Sequence, residues 1–294
     1  MRKHLLALVG ILTVASGCDN VVWGGVDVGV RYVTGADSVT AEVEEEQPEV
    51  AVSGRAPLPL AGRRDGARGD FVVVGAVRGP RLTAFPDPRF PGDIELVAEL
   101  TAVGSEWVVF SEGVRVGRMT VDRSEPAPGY CGARQAVSGV VELVAPAAAA
   151  ERLMALPADA AAEREYGPYR PIAHNYDQRV ATLSIAGEVI PTVGAPWPPG
   201  GILSARTDIR AFEPLGADLG SVAATFLYND RADLSEPGQR AWSLFLIGED
   251  VEGSYEASFY WHRSTEEEGK AVPMYFDHLD WTGDGRDEVL LEMF

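Results

Sequence analysis

Short runs of alternating apolar and polar residues, separated by turn signals, constrain this chain more than any other feature. The residues between 26 and 32 alternate strictly, and 71–77 is a continuous apolar run of the length of one buried strand. Gly104-Ser105 and Glu112-Gly113 supply tight turns between two such segments. Comparable segments recur at 21–33, 94–100, 107–110, 114–121, 137–144, 180–190, 202–212, 221–228, 241–248, 254–262, 272–276 and 289–294. The pattern predicts a mostly β fold of antiparallel sheets, as a sandwich or as two small packed sheets.

One segment favours helix instead. Pro146 suits a first helical position, and the alanines that follow it have the highest helix propensity. Gly167 is well placed to end such a helix. We therefore predict a short helical insertion near 146–166, covering an edge or an end of a sheet.

The region 35–69 contains few large apolar residues, an acidic run at 42–46 and then a basic stretch rich in proline and glycine. Such a composition buries too little surface to offset its ordering entropy, so a flexible linker is expected. The β-rich domain would then span 70–294, with candidate subdomains at 70–145 and 167–294.

The N-terminus has the organisation of an export signal. Arg2 and Lys3 precede an apolar run from Leu5 to Val14, and small residues lead directly to Cys18. The sequence Ala15-Ser16-Gly17-Cys18 resembles the lipobox of bacterial lipoproteins. The resemblance implies a signal peptide at 1–17, lipidation of Cys18, and a membrane-anchored protein of the bacterial cell envelope. The alternation described above adds a possible strand within residues 18–34. Ala15-x-Gly17 also suits ordinary signal cleavage, so a soluble periplasmic or secreted protein is the alternative.

Charge and cysteine content narrow the possible partners. The net charge is −19 and the isoelectric point is about 4.6, which disfavours nucleic-acid binding because such a surface repels phosphate. Cys131 is the second of two cysteines. It is expected to be a buried thiol if Cys18 is acylated, or a disulfide partner of Cys18 if it is not.

No local motif for catalysis is present: the chain has no HExxH, no GxSxG and no phosphate-binding glycine loop. We therefore expect no catalytic residues and a non-catalytic binding or scaffolding module. An exported hydrolase remains the alternative, with a site assembled from distant residues such as His174 with Asp177, or His278 with Asp277; His262 ends a predicted strand.

Aromatic residues concentrate in one predicted hairpin, which makes it a candidate face for a protein or glycan partner. Strands also favour aromatic residues when they are half buried in a core. The residues concerned are Trp242, Phe245, Tyr255, Phe259, Tyr260 and Trp261.

An acidic loop at 280–288 has the pattern D-x-T-x-D-G-x-x-E and leads into an apolar strand. It resembles the calcium loops of FG-GAP and VCBS-type repeats. The resemblance implies a Ca²⁺ site, because calcium prefers several hard oxygen ligands that a tight loop can direct inward. The implied ligands are the side chains of Asp280, Thr282, Asp284 and Glu288, with the carbonyl of Arg286. The motif occurs once, and Thr282 replaces a carboxylate or amide.

Overall fold

The computed structural model describes most of the chain from residue 58 onward, together with the backbone of one short strand near the N-terminus. The described residues are 26–30, 58–79, 81–85, 87, 89–127, 134–161, 168–215, 220–229, 240–265, 271–283 and 285–293. The predicted signal, Cys18, residues 35–57 of the predicted linker, Cys131 and Asp284 lie outside them.

Antiparallel strands dominate the described part of the chain, which confirms the prediction of a mostly β fold. In chain order the elements are β1 (Val26–Val30), β2 (Leu60–Asp65), β3 (Arg68–Val73), β4 (Gly75–Arg78), β5 (Arg81–Ala84), α1 (Gly92–Leu100), β6 (Glu106–Ser111), β7 (Val114–Ala127), β8 (Arg134–Leu143), β9 (Arg152–Pro157), α2 (Tyr176–Thr192), β10 (Arg206–Phe212), β11 (Ser221–Tyr228), β12 (Ala241–Val251), β13 (Ser254–Thr265), β14 (Pro273–Leu279) and β15 (Glu288–Met293).

Six of these strands form a closed antiparallel barrel in the order β2-β3-β8-β7-β6-β9, with β9 pairing back to β2. Alternate residues fill its interior, such as Phe71 and Val73 on β3 and Met119 and Val121 on β7. Val97 of α1 packs on the same core. Closure removes the unpaired strand edges that an open sheet of this length would expose.

The second unit is a five-stranded antiparallel sheet in the order β1-β13-β12-β11-β10. Its two faces are covered by different elements, and the alternation along β12 shows this directly. Leu244 and Leu246 face the core that α2 covers, whereas Phe245 and Ile247 face the core shared with Tyr275 of β14. Successive side chains of β12 point to opposite faces of the sheet, and both faces are covered. β12 is therefore an almost continuous apolar strand.

The β14–β15 hairpin lies between the sheet and the barrel and contacts both. Tyr275 and Leu291 pack against the sheet. Phe276, Leu279 and Trp281 pack against the outer face of barrel strands β6 and β9, together with Val108, Phe110, Met154 and Leu156. The hairpin therefore connects the barrel to the five-stranded sheet. Residues of both can contribute to a site on the hairpin.

Two segments predicted as strands are helices. The buried residues of α1 are Asp93 and Val97, with Leu96 and Leu100 partly buried, which is helical rather than alternate spacing. α2 replaces the strand predicted at 180–190, because Asn175 and Gln178 form a capping box that starts a helix despite the β-branched residues that follow.

The helical insertion predicted near 146–166 is wrong over its central part. Residues 145–147 form a single 3₁₀ turn, and Arg152–Pro157 is strand β9. β9 closes the barrel between β2 and β6, with Leu153 and Ala155 in the barrel core and Met154 and Leu156 towards the hairpin. Pairing on both sides outweighs the helix propensity of the neighbouring alanines.

The predicted linker also needs correction at its C-terminal end. Residues 60–65 and 68–69 belong to strands β2 and β3, so the barrel begins at Leu60 rather than near residue 70. Arg63, Arg64 and Arg68 lie on these two strands, whose buried residues belong to the barrel core. Val26–Val30 pairs with β13 as an edge strand of the C-terminal sheet. No helix in the described ranges is long and apolar enough to span a bilayer.

Candidate functional site

The acidic loop between β14 and β15 is held by its own hydrogen bonds. Asp280 Oδ1 accepts from the backbone N–H of Gly283 at 2.5 Å, and Oδ2 accepts from that of Gly285 at 3.0 Å. Glu288 accepts from the backbone N–H of Trp281 at 2.7 Å and from Thr282 Oγ1 at 3.0 Å. Three of the predicted calcium ligands therefore take part in loop hydrogen bonds, and the calcium site stays a prediction.

Trp281 fixes the position of this loop. Its side chain is 2% exposed and packs with Phe110 and Leu156 on the outer wall of the barrel. The first half of the loop is thereby anchored, while Gly283, Gly285 and Arg286 remain exposed. The last residue before β15, Asp287, lies on the inner side of the loop, where its side chain is 3% exposed.

A buried cluster of carboxyl and imidazole groups lies where the hairpin meets the barrel. Asp277 and His278 on β14 are 2% and 1% exposed, and Glu112 comes from the turn between β6 and β7. One ligand-type atom from each of these three residues lies within 4.8 Å of the others. Asp287 joins the cluster through its Oδ2 atom, which is 3.5 Å from His278 Nε2.

Two local features of the backbone bring these groups together. The pairing of β14 with β15 shifts register between Tyr275 and Asp277, and this bulge changes the direction of the following side chains. The turn at Glu112 and Gly113 has positive φ at both residues, 52° and 71°, as a type I′ hairpin turn requires. The turn points the Glu112 backbone N–H at Asp277, which accepts it at 3.0 and 3.2 Å.

The carboxylates of Asp277 and Asp287 are positioned by backbone donors. Asp277 Oδ1 also accepts from the N–H of His278 at 2.8 Å. Asp287 Oδ2 accepts from the N–H of Leu215 at 2.8 Å, which ties the loop after β10 to the cluster. These bonds fix both carboxyl groups but leave lone pairs over, because each carboxylate can accept about four hydrogen bonds.

The two nitrogens of His278 have different surroundings. Nδ1 lies 2.5 Å from the hydroxyl of Tyr275, and the ring packs 5.2 Å from that of Phe212. Nε2 is buried and forms no hydrogen bond with any described residue. Gly113 covers this nitrogen closely: a Cβ at position 113 would come within 2.8 Å of Nε2 and 3.1 Å of Asp287 Oδ2. Only glycine fits at this position without displacing the ring of His278.

Burial governs the protonation of the cluster. It raises the pKa of Asp277 well above the ordinary carboxyl value, with the nearby charge of Glu112 adding to the effect. It raises the pKa of Asp287 to about 6 and lowers that of His278 to about 4, the Glu213 carbonyl partly opposing the latter change. In the absence of a cation, the carboxyl groups are therefore driven to hold protons and the imidazole to be neutral.

The nearest basic side chains influence the cluster without pairing with it. Burial raises the pKa of Glu112, and the charges of Arg210 and Arg152 lower it in part. Arg152 donates to the carbonyl of Tyr275 at 3.0 Å, and Arg210 Nε lies 3.2 Å from Asp208. Within the described ranges, no guanidinium group comes within 4 Å of Glu112, Asp277 or Asp287.

The other candidates from the sequence are not brought together. His174 and Asp177 are exposed at the start of α2. His262 is buried in the sheet beside Trp242, their ring centroids being 6.4 Å apart. Trp242 and Phe245 are fully buried on opposite faces of the sheet, so the aromatic residues form two cores and no shared exposed surface.

A shallow groove of about 700 Å³ runs along the outside of the barrel. Tyr169 lines one end of it and also approaches Ser111, next to Glu112. The lining includes no histidine, serine or cysteine; its residues are Arg115, Val116, Gly117, Arg118, Glu142, Leu143, Val144, Pro146, Pro168 and Tyr169.

Sequence reasoning considered part of the buried cluster but did not assemble it. It paired Asp277 with His278 as a possible catalytic couple and interpreted Glu112 only as a turn residue. Asp287 fell inside the predicted calcium loop but was not among its ligands. Glu112 and Asp277 are 165 positions apart, and no sequence pattern links a barrel turn to a distant strand.

The fold and the cluster together define an antiparallel β protein with two units, a closed barrel and a five-stranded sheet, joined through a polar buried hairpin. No protein-family model, curated protein or solved structure matches the chain.

Proposed function

We propose that this chain is a cell-envelope lipoprotein whose barrel and sheet form a non-catalytic binding or scaffolding module. The signal-like N-terminus and the lipobox-type sequence at Ala15–Cys18 support membrane attachment through Cys18. The alternative, an exported hydrolase, lacks a supporting observation, because His278 is enclosed and the barrel groove offers no nucleophile.

The observation that carries the proposal is the position of β1. Val26 follows Cys18 by eight residues and already pairs with Arg263 of β13. Eight extended residues span at most about 29 Å, so a lipid on Cys18 holds the C-terminal sheet close to the bilayer. The linker then joins β1 to the barrel and does not separate the anchor from the folded body. A short attachment of this kind suits a module that works at the membrane surface.

Lipidation is tested by expressing the full chain in a bacterium and following fatty-acid labelling and partition into detergent. The wild type should be labelled and should enter the detergent phase, and Cys18→Ser should do neither. Cys131→Ser is the matched control and should behave like the wild type. Identical processing of the wild type and Cys18→Ser, with both in the aqueous phase, would establish the soluble exported alternative.

The short attachment is tested with a specific protease site placed either between residues 19 and 25 or between residues 40 and 50. Cleavage at the first site should release the body from membranes. Cleavage at the second should leave it attached until mild denaturant is added, because β1 remains paired with β13. Immediate release after cleavage at the second site would contradict the proposed geometry while leaving lipidation itself intact.

A further inference from the structure

We propose that Glu112, Asp277, His278 and Asp287 form a binding site for a divalent transition-metal ion of the zinc and manganese class. The site lies between the barrel turn and the β14–β15 hairpin. It is distinct from the predicted calcium loop, whose ligands would be Asp280 and the residues following it. It is also independent of membrane attachment, so either proposal can fail alone.

The carboxyl groups of the cluster lack a matching positive charge. Three carboxyl groups lie close to His278, and the part of the chain that the structure describes places no arginine or lysine within ion-pair distance of them. Buried carboxylates require a cation, a full set of hydrogen bonds or protons. Backbone N–H groups satisfy some lone pairs of Asp277 and Asp287. A divalent cation would satisfy the remainder.

The surroundings of His278 Nε2 indicate a ligand independently of the charges. The side chain is 1% exposed, yet Nε2 has no hydrogen-bond partner among the described residues and lies beside Gly113, 3.5 Å from Asp287 Oδ2. The Glu213 carbonyl lies within hydrogen-bonding reach of the ring and partly opposes the lowering of its pKa, but its geometry is not that of a formed hydrogen bond to Nε2. Leaving a buried imidazole nitrogen without a partner costs free energy, so an arrangement that maintains it calls for a ligand. A metal ion would accept the unused lone pair.

The other nitrogen of His278 is arranged as in known metal sites. Histidine ligands generally use their second nitrogen in a hydrogen bond that fixes the ring and its tautomer. Here Nδ1 lies 2.5 Å from the Tyr275 hydroxyl, whose oxygen can accept a hydrogen bond from Nδ1–H; in that tautomer Nε2 carries the lone pair. Phe212 packs on the ring and restricts its rotation.

The separations of the donor atoms fit a shared ion. His278 Nε2 and Asp287 Oδ2 are 3.5 Å apart. Two ligands at about 2.0–2.2 Å from a tetrahedral zinc ion lie about 3.4 Å from each other. Glu112, Asp277 and His278 offer atoms within 4.8 Å of one another, whereas ligands on opposite sides of one ion are at most about 4.4 Å apart. Binding of one ion therefore requires these side chains to draw slightly closer together.

The donor types select the class of ion. One imidazole nitrogen with carboxylate oxygens, and no thiolate, suits zinc, manganese or ferrous iron. Calcium and magnesium prefer shells made entirely of oxygen, and soft ions prefer sulfur. The calcium-type loop nearby has oxygen donors alone, so the two places should differ in their metal preference.

The test uses the full chain, purified in detergent, stripped with a chelator and then titrated with zinc, manganese, calcium or magnesium by calorimetry. We expect one equivalent of zinc or manganese per chain, with a rise in melting temperature that calcium and magnesium do not reproduce at the same concentration. Absence of zinc and manganese binding at millimolar concentration would overturn the proposal.

Variants locate the ion. His278→Gln and Asp287→Asn should each weaken zinc binding at least tenfold. His174→Gln is the matched control for adventitious binding at an exposed imidazole and should leave the affinity unchanged.

The Asp287→Asn variant also separates loss of the ion from loss of the fold. Its side-chain amide keeps an oxygen that can accept from the N–H of Leu215, so the protein should remain folded and, in chelator, should melt no lower than the wild type. Unchanged zinc affinity in Asp287→Asn and His278→Gln, or loss only in Asp280→Asn, would place the ion elsewhere and refute the assignment.

Discussion

The two acidic places on the β14–β15 hairpin differ in how their charges are satisfied. In the loop, Asp280 and Glu288 accept hydrogen bonds from residues three to seven positions away, and much of the loop is exposed. In the buried cluster, the donors to Asp277 and Asp287 include Glu112 and Leu215 on distant segments, and one imidazole nitrogen stays unsatisfied.

The comparison shows that the acidic motif recognisable in the sequence is not where burial changes carboxyl pKa values most strongly. Hydrogen bonds from neighbouring residues satisfy carboxylate oxygens of the loop. In the cluster, burial instead governs the protonation of the carboxyl groups. Four experiments test this difference between the loop and the cluster.

The largest effect should come from removing the anchor that both places share. Trp281→Ala deletes a buried indole between the hairpin and the barrel. We expect a loss of about 3–5 kcal/mol in the free energy of unfolding, seen as a fall in melting temperature on the order of 10 °C. Trp197→Ala, at a site that is 50% exposed, is the matched control and should change the stability little. Equal effects of the two substitutions would show that the hairpin is not held by Trp281.

Removing one hydrogen-bond acceptor should destabilise the protein more in the buried cluster than in the loop. Asp277→Ala leaves the buried N–H groups of Glu112 and His278 without their acceptor, which should cost about 3 kcal/mol. Asp280→Ala removes bonds from Gly283 and Gly285, whose N–H groups can turn to water, so about 1 kcal/mol is expected. Chemical denaturation measures both. A larger loss for Asp280→Ala would reverse the comparison.

The pH dependence of stability, measured in chelator, should come from the cluster. Because burial raises the pKa of Asp287 to about 6 from 3.8, its contribution is complete below pH 3.8 and is lost as the pH rises through 6. His278 acts with the opposite sign: its pKa is lowered to about 4, so its contribution is present above 6.5 and is lost as the pH falls through 4.

Asp287→Asn removes only the first of these contributions. The stability of the variant minus that of the wild type should therefore grow by about 2 kcal/mol between roughly pH 3.5 and pH 7. Denaturant midpoints at several pH values measure this difference, and Asp280→Asn serves as a comparison in the exposed loop. A difference that is constant with pH would mean that Asp287 is not buried as described.

The smallest effect is expected from calcium at the loop. A weak site of the extracellular class has a dissociation constant of about 10⁻³ M, and a tenfold excess of calcium then stabilises the fold by about 1.4 kcal/mol. Asp284→Ala should abolish the accompanying rise in melting temperature, whereas Asp287→Asn should leave it in place. An unchanged melting temperature at about 10⁻² M calcium would leave only a hydrogen-bonded acidic turn.

Local sequence determined much of this protein. Alternation and turn residues predicted antiparallel strands, and they placed the hairpin turn at Glu112-Gly113 and the strand at 241–248 close to where they occur. The order of charged, apolar and small residues before Cys18 determined the expectation of an exported, lipid-anchored chain. These predictions depend only on neighbouring residues, whose relative positions are set by the local backbone.

Tertiary structure decided the rest. β9 is a strand because β2 and β6 lie on either side of it, although the adjoining alanines favour a helix. α1 and α2 depend on which faces are buried, and alternation over seven to eleven residues did not reveal this. The buried cluster needs Glu112 and Asp277 to meet across 165 positions of chain. The desolvation that alters its pKa values exists only when barrel, sheet and hairpin are packed together.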